Sequence, residues 1–502
     1  MKYLLGIDVG TSSAKSVLLA ESGAVAAIGQ HEYDFETPRP GWAEQEPDVW
    51  WQAAKATIQQ VLHSSQVNPA QIQGIGFSGQ MHGPVFLDHA GQSIRPAIIW
   101  ADQRSVAECR EIYARVGKAG LYRTVGNPVD SGFMAATLLW IRKHEPETYR
   151  RLKTVLLPKD YVRFRLTGEL ATDPSDAGGT SLYDVRQRQW SAEMLAQLEL
   201  DPAMFPSVKN SSAAAGSVTP SAAAETGLTP DTPVLIGGTD QTMAALASGA
   251  IEAGPVMLVI GTGGTLFTTI DAVVVDPELR MHTYPHCIPG KWHLLGAILA
   301  GGLCLKWLRN TLRLKDTYSY DDMAQEAAAI APGAEGALFL PYLAGERTPH
   351  MDSLARGVMF GLTVRHTRAH LIRAVMEGVV FAMRDCLELF KQLQVSPAKL
   401  IASGGGALSP AWRQMQADIM GLPLVTVKTR EKSATGAAML AGVGVGVFAS
   451  FAEACARTVA FDEEIQPIPA HVARYAEYYR LYTTLYPALK ACFAEDFRLL
   501  RD

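Results

Sequence analysis

Two stretches near the middle of the chain carry residue types whose spacing could do chemistry. Pro233-Val-Leu-Ile-Gly-Gly-Thr-Asp240-Gln241 reads as a buried strand that delivers a carboxylate to its end. Val256-Met-Leu-Val-Ile-Gly261-Thr262-Gly263-Gly264-Thr265 reads as a strand, a tight glycine turn and the start of a second strand. A carboxylate can accept a proton, and the backbone N–H groups of a glycine turn can cradle phosphate oxygens. Their closeness in sequence suggests an acid beside a nucleotide's phosphate tail, the arrangement that phosphoryl transfer to a hydroxyl requires. An exposed aspartate with a pKa of about 4 would already be ionised at neutral pH.

The N-terminus repeats the second plan. Tyr3 to Val9 is an apolar strand, Gly10-Thr11-Ser12 a turn, and Ser13 to Leu19 a returning strand. No Gly-Lys-Ser/Thr follows and the chain continues as strand, so this is not a Walker loop. Two such units imply two phosphate-binding hairpins, with Thr11, Ser12, Gly261, Thr262 and Gly263 facing the polyanion. Asp8 interrupts the first buried strand, where an unpaired carboxylate is costly and a magnesium ion at the phosphates would satisfy it.

Other polar groups stand at the ends of apolar runs. Gln80-Met81-His82, bracketed by Gly79 and Gly83, follows the strand Ile72 to Phe77, where α/β sheets expose ligands, and two-way hydrogen bonders there suit sugar hydroxyls. Asp102 and Arg104 read as an ion pair at a helix start, and Asp173, Asp176 and Asp184 as turn formers in a Gly/Ser/Thr-rich region. Gly301-Gly302 at a helix entrance allows a flat ligand or a phosphate to approach the backbone. Gly404-Gly405-Gly406 joins a strand to a helix running from near Pro410 to Gly421, a nucleotide-site shape, although Gly-x-Gly-x-x-Gly is absent and a dinucleotide fold is excluded.

The elements that must position these groups alternate between strand and helix. Helices are expected over about Val49 to His63 with Asp48 as N-cap, Gly132 to His144, a stretch from Pro158 stopped by Thr167-Gly168, and Leu371 to Leu389, where Glu377 is capped or paired. Thr435 to Gly442 opens a small-residue helix suited to tight packing, and the tyrosines after His471 form a packing face. A chain of 502 residues exceeds what one core supports, so two domains are expected. The net charge of -5, without a basic stripe, argues against nucleic acid. Six scattered cysteines indicate neither a zinc site nor a disulfide framework, and neither a signal peptide nor a membrane-spanning stretch is present. A cytoplasmic enzyme acting on a small molecule is expected.

Assembled, the two Gly-Thr hairpins and the late triple glycine resemble the duplicated core of the actin-like ATPases, and within that group the chain looks like the FGGY carbohydrate kinases. Gly357-Val-Met-Phe-Gly361-Leu362, a spacer and His370 to Glu377 fit that family's second signature throughout. Phe133 to His144 fits the earlier one less well, with Thr137 where the family carries lysine. Gly79 to Gly83, Leu157 to Tyr161, Asp173 to Gly179 and Gly345 to His350 look most like xylulokinases, whereas Gly238-Thr239-Asp240-Gln241 departs from their common Gly-Gly-Asp-Asn.

The resemblance implies an α/β, two-domain actin-like (ribonuclease H-like) fold with an ATP cleft between the domains. Residues 1–248 would hold the sugar and the first hairpin. Residues 249–502 would hold the second hairpin and the adenosine site, with the last helix open to packing back on the first domain. It further implies ATP and Mg2+ as cofactors and phosphorylation of a ketopentose, D-xylulose foremost, at its terminal hydroxyl. Asp240 would be the general base; Gln80, Met81, His82, Asp240 and Gln241 would contact sugar; Gly302, Gly404, Gly405 and Gly406 would contact adenosine; and Asp8 would serve the metal. Partners are the sugar and ATP, without nucleic acid or membrane, and a homodimer is compatible with this reading. The rivals are a kinase for another pentulose or polyol, and an actin- or chaperone-like ATPase without sugar kinase activity.

Overall fold

The computed structural model describes residues 1–315, 317–429 and 431–499. They form two compact units: Met1–Ile251 with Asp271–His293 and Thr429–Val459, and Glu252–Ile270 with Leu294–Lys428 and Ala460–Asp502. The division is therefore not a single cut after residue 248, because two later segments return to the first unit.

The first unit is built on the strand Tyr3–Val9, whose Leu4, Leu5, Ile7 and Val9 are all fully buried. Such a continuous apolar run suits a strand covered on both faces. Ser13–Ala20 returns antiparallel to it and Val25–Glu32 follows as the edge, while Ile72–Gly79 lies parallel on its other side. Pro233–Leu235 extends the sheet in parallel, and Gly238–Thr239 runs beside the last two residues of Ile72–Gly79. The short strand Ala214–Ser217 pairs antiparallel with Pro233–Leu235 and closes that side.

One face of this sheet carries the helix Pro47–Ser65 through buried Trp50 and Trp51. Asp48 sits inside its first turn, and the N-cap is Glu46, without a side-chain bond. Against the sheet lies the small-residue helix Lys432–Gly444, as its Ala/Gly composition predicts. A Cβ on Gly6 would stand 1.8 Å from the Ala434 carbonyl oxygen, and one on Gly76 2.0 Å from that of Ala437. Only glycine lets the helix backbone come so near.

In the second unit the strands run in the order Trp292–Ile298, Gly264–Ile270, Pro255–Ile260, Lys399–Ser403, Leu424–Thr426. Pro255–Ile260 pairs antiparallel with Gly264–Ile270 and parallel with Lys399–Ser403. Each unit thus holds an antiparallel hairpin whose first strand has a parallel neighbour, the duplication expected from the two glycine turns. Helix Arg368–Gln392 is buried along most of its length, and its Glu377 accepts from Arg373 (2.6 Å), Tyr475 Oη (2.7 Å) and Gly333 N (3.1 Å). Tyr475 belongs to the last helix, Pro469–Leu499, which lies in the second unit. Helix Lys432–Gly444 lies within Thr429–Val459, one of the two later segments that belong to the first unit. No described helix is long and apolar enough to cross a membrane.

Gly76→Ala forces a methyl against the Ala437 carbonyl and is expected to destabilise the protein by about 1–3 kcal/mol. A lowered urea midpoint for unfolding checks this, and an unchanged midpoint would refute the close helix–sheet contact.

Candidate active site

Asp240 opens the helix Asp240–Ala247, one residue beyond the strand end predicted for it. Thr239 caps that helix, its hydroxyl accepting from Thr242 N (3.3 Å), and Ser433 Oγ donates to the Asp240 carbonyl (3.2 Å). Asp8 stands in register with Ser78 on the adjacent strand. Asp8 and Asp240 are both half-buried, and in each the Oδ1 atom is covered and has no hydrogen-bond partner. Two neighbouring carboxylates with orphaned oxygens form a donor set that suits a hard divalent cation.

The first turn is closed by Gly10 N donating to Ser13 O (3.0 Å) and braced by side chains. Gln45 Nε2 donates to Thr11 O (2.7 Å), Tyr33 Oη to Gly10 O (2.7 Å), and Gln80 Nε2 to Gly10 O (3.3 Å) and Gln45 Oε1 (3.0 Å). The Thr11 hydroxyl donates to Gln80 Oε1 (3.1 Å) and accepts from Trp100 Nε1 (2.9 Å). Gln80 and Thr11, expected to touch sugar and phosphate, therefore hold the turn in shape, and Ser12 is the exposed hydroxyl at its tip.

His82 adopts a positive φ of 78° and stacks on Phe133, ring centroids 3.8 Å apart. Its Nδ1 lies 2.6 Å from the Gly179 carbonyl oxygen. A carbonyl can only accept, so Nδ1 carries the proton of this bond. Buried Met81 lies against the same Gly179, as a methyl built there would touch both side chains. Asp102 and Arg104 form the expected ion pair (2.8 Å), and Arg104 also pairs with Glu44 (2.6 Å) over the Trp42 ring.

Behind these groups lies a cluster that the turn-former reading of Asp173 and Asp176 misses. Lys159 Nζ, fully buried, is 2.7 Å from Asp160, 3.0 Å from Asp173 and 3.0 Å from Asp176, and Arg163 is 2.6 Å from Asp160. Burial alone would lower the Lys159 pKa, but three carboxylates raise it and keep the ammonium charged. Asp184 is a turn former as expected, accepting from Arg186 N (2.8 Å) and Gln187 N (3.0 Å).

In the second unit a cavity of about 540 Å³ is lined by Gly261, Thr262, Gly302, Gly405 and Gly406. Gly263 and Gly404 are not among its lining residues, and Gly404 turns past the Ile260 carbonyl with φ 74°. The first helical amides fold back on the turn: Gly301 N and Leu303 N donate to Thr262 O (2.9 and 3.1 Å), Gly302 N to Gly261 O (2.7 Å). Turn and helix entrance are therefore one hydrogen-bonded piece. The remaining wall, which sequence reasoning missed, comes from Leu303 and Lys306, from Tyr320 and Ala324 on the helix Tyr320–Ala328, and from Leu408 and Trp412. A mostly apolar cavity of this volume with a glycine floor suits a nucleoside.

The N-terminal domain of the FGGY family of carbohydrate kinases matches residues 3–247, and the C-terminal domain of the same family matches residues 256–445. The chain belongs to the FGGY carbohydrate kinases. The kinase is 36% identical over 490 residues to the xylulose kinase of Bacillus subtilis, covering 98% of each chain. It is 31% identical to the gluconokinase of the same organism, covering 89% of each. Among solved structures, the xylulose kinase from Rhodospirillum rubrum superposes with a TM-score of 0.92 at 31% identity, over 98% of this chain and 100% of that one. It is accordingly an ATP-dependent, xylulokinase-like phosphotransferase with the two-domain actin-like fold.

In this kinase the acid at position 240 is not an ordinary exposed aspartate. Burial, then the charge of Asp8, raise its pKa to about 7, while the backbone and side-chain amides of Gln241 pull it back. Burial raises the Asp8 carboxyl too, opposed by the Ser78 hydroxyl and by Lys15, which pairs with Glu431 at 2.8 Å. Removing one negative charge must ease ionisation of the other. Asp8→Asn is therefore expected to move the Asp240 midpoint below 7 in metal-free protein, read by carboxyl-carbon NMR; an unmoved or raised midpoint would contradict the coupling.

Proposed function

We propose that the protein transfers the γ-phosphoryl group of ATP to the terminal hydroxyl of D-xylulose, giving D-xylulose 5-phosphate and ADP, with Asp240 as general base. The observation that carries the mechanism is the state of that carboxylate: its pKa of about 7 is matched to proton abstraction near neutral pH, and its covered Oδ1 has no partner within the protein. The sugar assignment is supported by kinship with xylulose kinases along almost the whole chain.

The His82 ring is assigned to contact a sugar hydroxyl, with Met81 supplying an apolar contact and the Gln241 amide a further polar one. The Asp240 carboxylate takes the proton of the attacking hydroxyl as the oxygen closes on the γ-phosphorus in line. Ser12, Thr262 and Gly263 are assigned to the phosphates, and the glycine-floored cavity with Trp412 to adenosine. Asp8, with Asp240 beside it, would hold a magnesium ion, which when bound neutralises phosphate charge. A cytoplasmic setting agrees with six cysteines that are all unbridged.

Asp240→Asn is expected to lower kcat by at least about 10²–10⁴-fold while ATP affinity stays nearly unchanged, measured by coupled ADP release and calorimetric nucleotide binding. A mutant with near-wild-type turnover would remove Asp240 from the role. For the wild type, kcat/KM for sugar should fall as pH drops below about 7, because the base of the free enzyme becomes protonated. In a panel of D-xylulose, ribulose, L-xylulose, arabinitol, glycerol and gluconate, D-xylulose should give the highest kcat/KM. Gluconate leading would overturn the sugar assignment, and no sugar-dependent ADP release would overturn the whole reading.

A further inference from the structure

The catalytic groups use none of the buried charges around Lys159, and stability does not explain them. Replacing buried ion networks by apolar side chains is often neutral or stabilising by about 1–4 kcal/mol. The hydrogen bonds that leave the cluster are more informative than those within it. Asp173 Oδ1 is 3.0 Å from Lys159 Nζ, and its Oδ2 accepts from Ser175 N (2.8 Å), Ser175 Oγ (2.5 Å) and Ser211 Oγ (3.0 Å). A hydroxyl has one proton. Ser175 gives it to Asp173 and so must accept from its other neighbour, the Thr239 amide, at 3.1 Å. Thr239 is the residue immediately before Asp240 and the cap of its helix.

The same short turn, Pro174–Gly178, ends at Gly179, whose carbonyl accepts from His82 Nδ1 at 2.6 Å. One end of the turn thus holds the peptide that leads into the acid, and the other orients the ring of the histidine. Lys159 is seated against the strand end that precedes Gln80, since a Cβ on Gly79 would be 2.9 Å from Lys159 Cβ.

We propose that Ser175, oriented by Asp173 and Lys159, is a positioning residue for phosphoryl transfer that sets the spacing between the Asp240 carboxylate and the His82 imidazole. The proposal rests on Asp240 being the base. Because both groups answer to one turn, acid and sugar keep a common register, and a displacement of about 1 Å is enough to cost about 10²-fold in rate.

The test compares Ser175→Ala, Ser211→Ala, Ser175→Thr and Asp240→Asn in the full-length enzyme, with thermal midpoint, kcat, and KM for sugar and for ATP. Ser211 donates to the same Asp173 oxygen but has no hydrogen bond to Thr239, so a merely structural hydroxyl would affect both alanine variants alike. The expected result is a fall in kcat of about 10–10²-fold for Ser175→Ala with KM for ATP within about twofold of wild type, less than twofold loss for Ser211→Ala, and recovery of most activity in Ser175→Thr. Equal losses in the two alanine variants, no rescue by threonine, or Ser175→Ala within about twofold of wild type while Asp240→Asn is crippled would each overturn the relay. Wild-type turnover in Asp240→Asn would instead overturn the assignment of the base, and the proposal with it.

Discussion

An ammonium group without access to water must be met by carboxylates, and the first unit obeys this at Lys159. Its neighbours Asp160, Asp173 and Asp176, with Arg163, are all fully buried, so none can relax into solvent. Three acids against two cations leave an excess of negative charge, and burial together with the neighbouring acids drives Asp176 well above the usual carboxylate range despite Lys159. Losing one member of such a set strands the others, at about 3–5 kcal/mol. The helix Pro158–Thr167, the Asp173 turn and the strand end at Gly79 are thereby tied into one rigid support.

The two hairpins share a topology but are braced differently. Around Gly10 and Thr11 the bracing comes from side chains, namely Gln45, Gln80, Tyr33 and Trp100, gathered from distant parts of the first unit. Around Gly261 to Gly263 it comes from the backbone of the next helix, with Gly301 so close that a Cβ would lie 2.3 Å from the Gly263 carbonyl oxygen. A side-chain brace can be tuned residue by residue; a backbone brace constrains only where glycine must stand. The duplicated plan has diverged most in what surrounds its turns.

Much of this was legible in the chain itself. Apolar runs broken by glycine marked both hairpins, Pro410 and Gly421 framed a helix that runs Pro410–Met420, and an acid in an apolar helical face required Glu377 to be capped or paired. What stayed hidden depended on contacts between residues far apart. Asp173 and Asp176 sit among Gly, Ser and Thr and so look like turn residues, and only the fold brings Lys159 to them. Gln80 has the chemistry to bind a sugar, and only the fold shows that its two amide protons go to Gly10 and Gln45 while its oxygen accepts from Thr11. The raised pKa of Asp240 arises from burial and from Asp8, near the other end of the unit's sequence.

The helix Lys432–Gly444 lies close to Gly6 and Gly76, yet it is encoded more than four hundred residues after the first strand. A nascent chain leaving the ribosome therefore carries the sheet of the first unit with one apolar face bare until residues 429–459 emerge. By then Glu252–Ile270 and Leu294–Lys428 of the second unit have already been synthesised, with Ala460–Asp502 still to come. The first unit therefore cannot be completed before most of the second has been made, and its waiting sheet is transiently exposed apolar surface of the kind that chaperones shield.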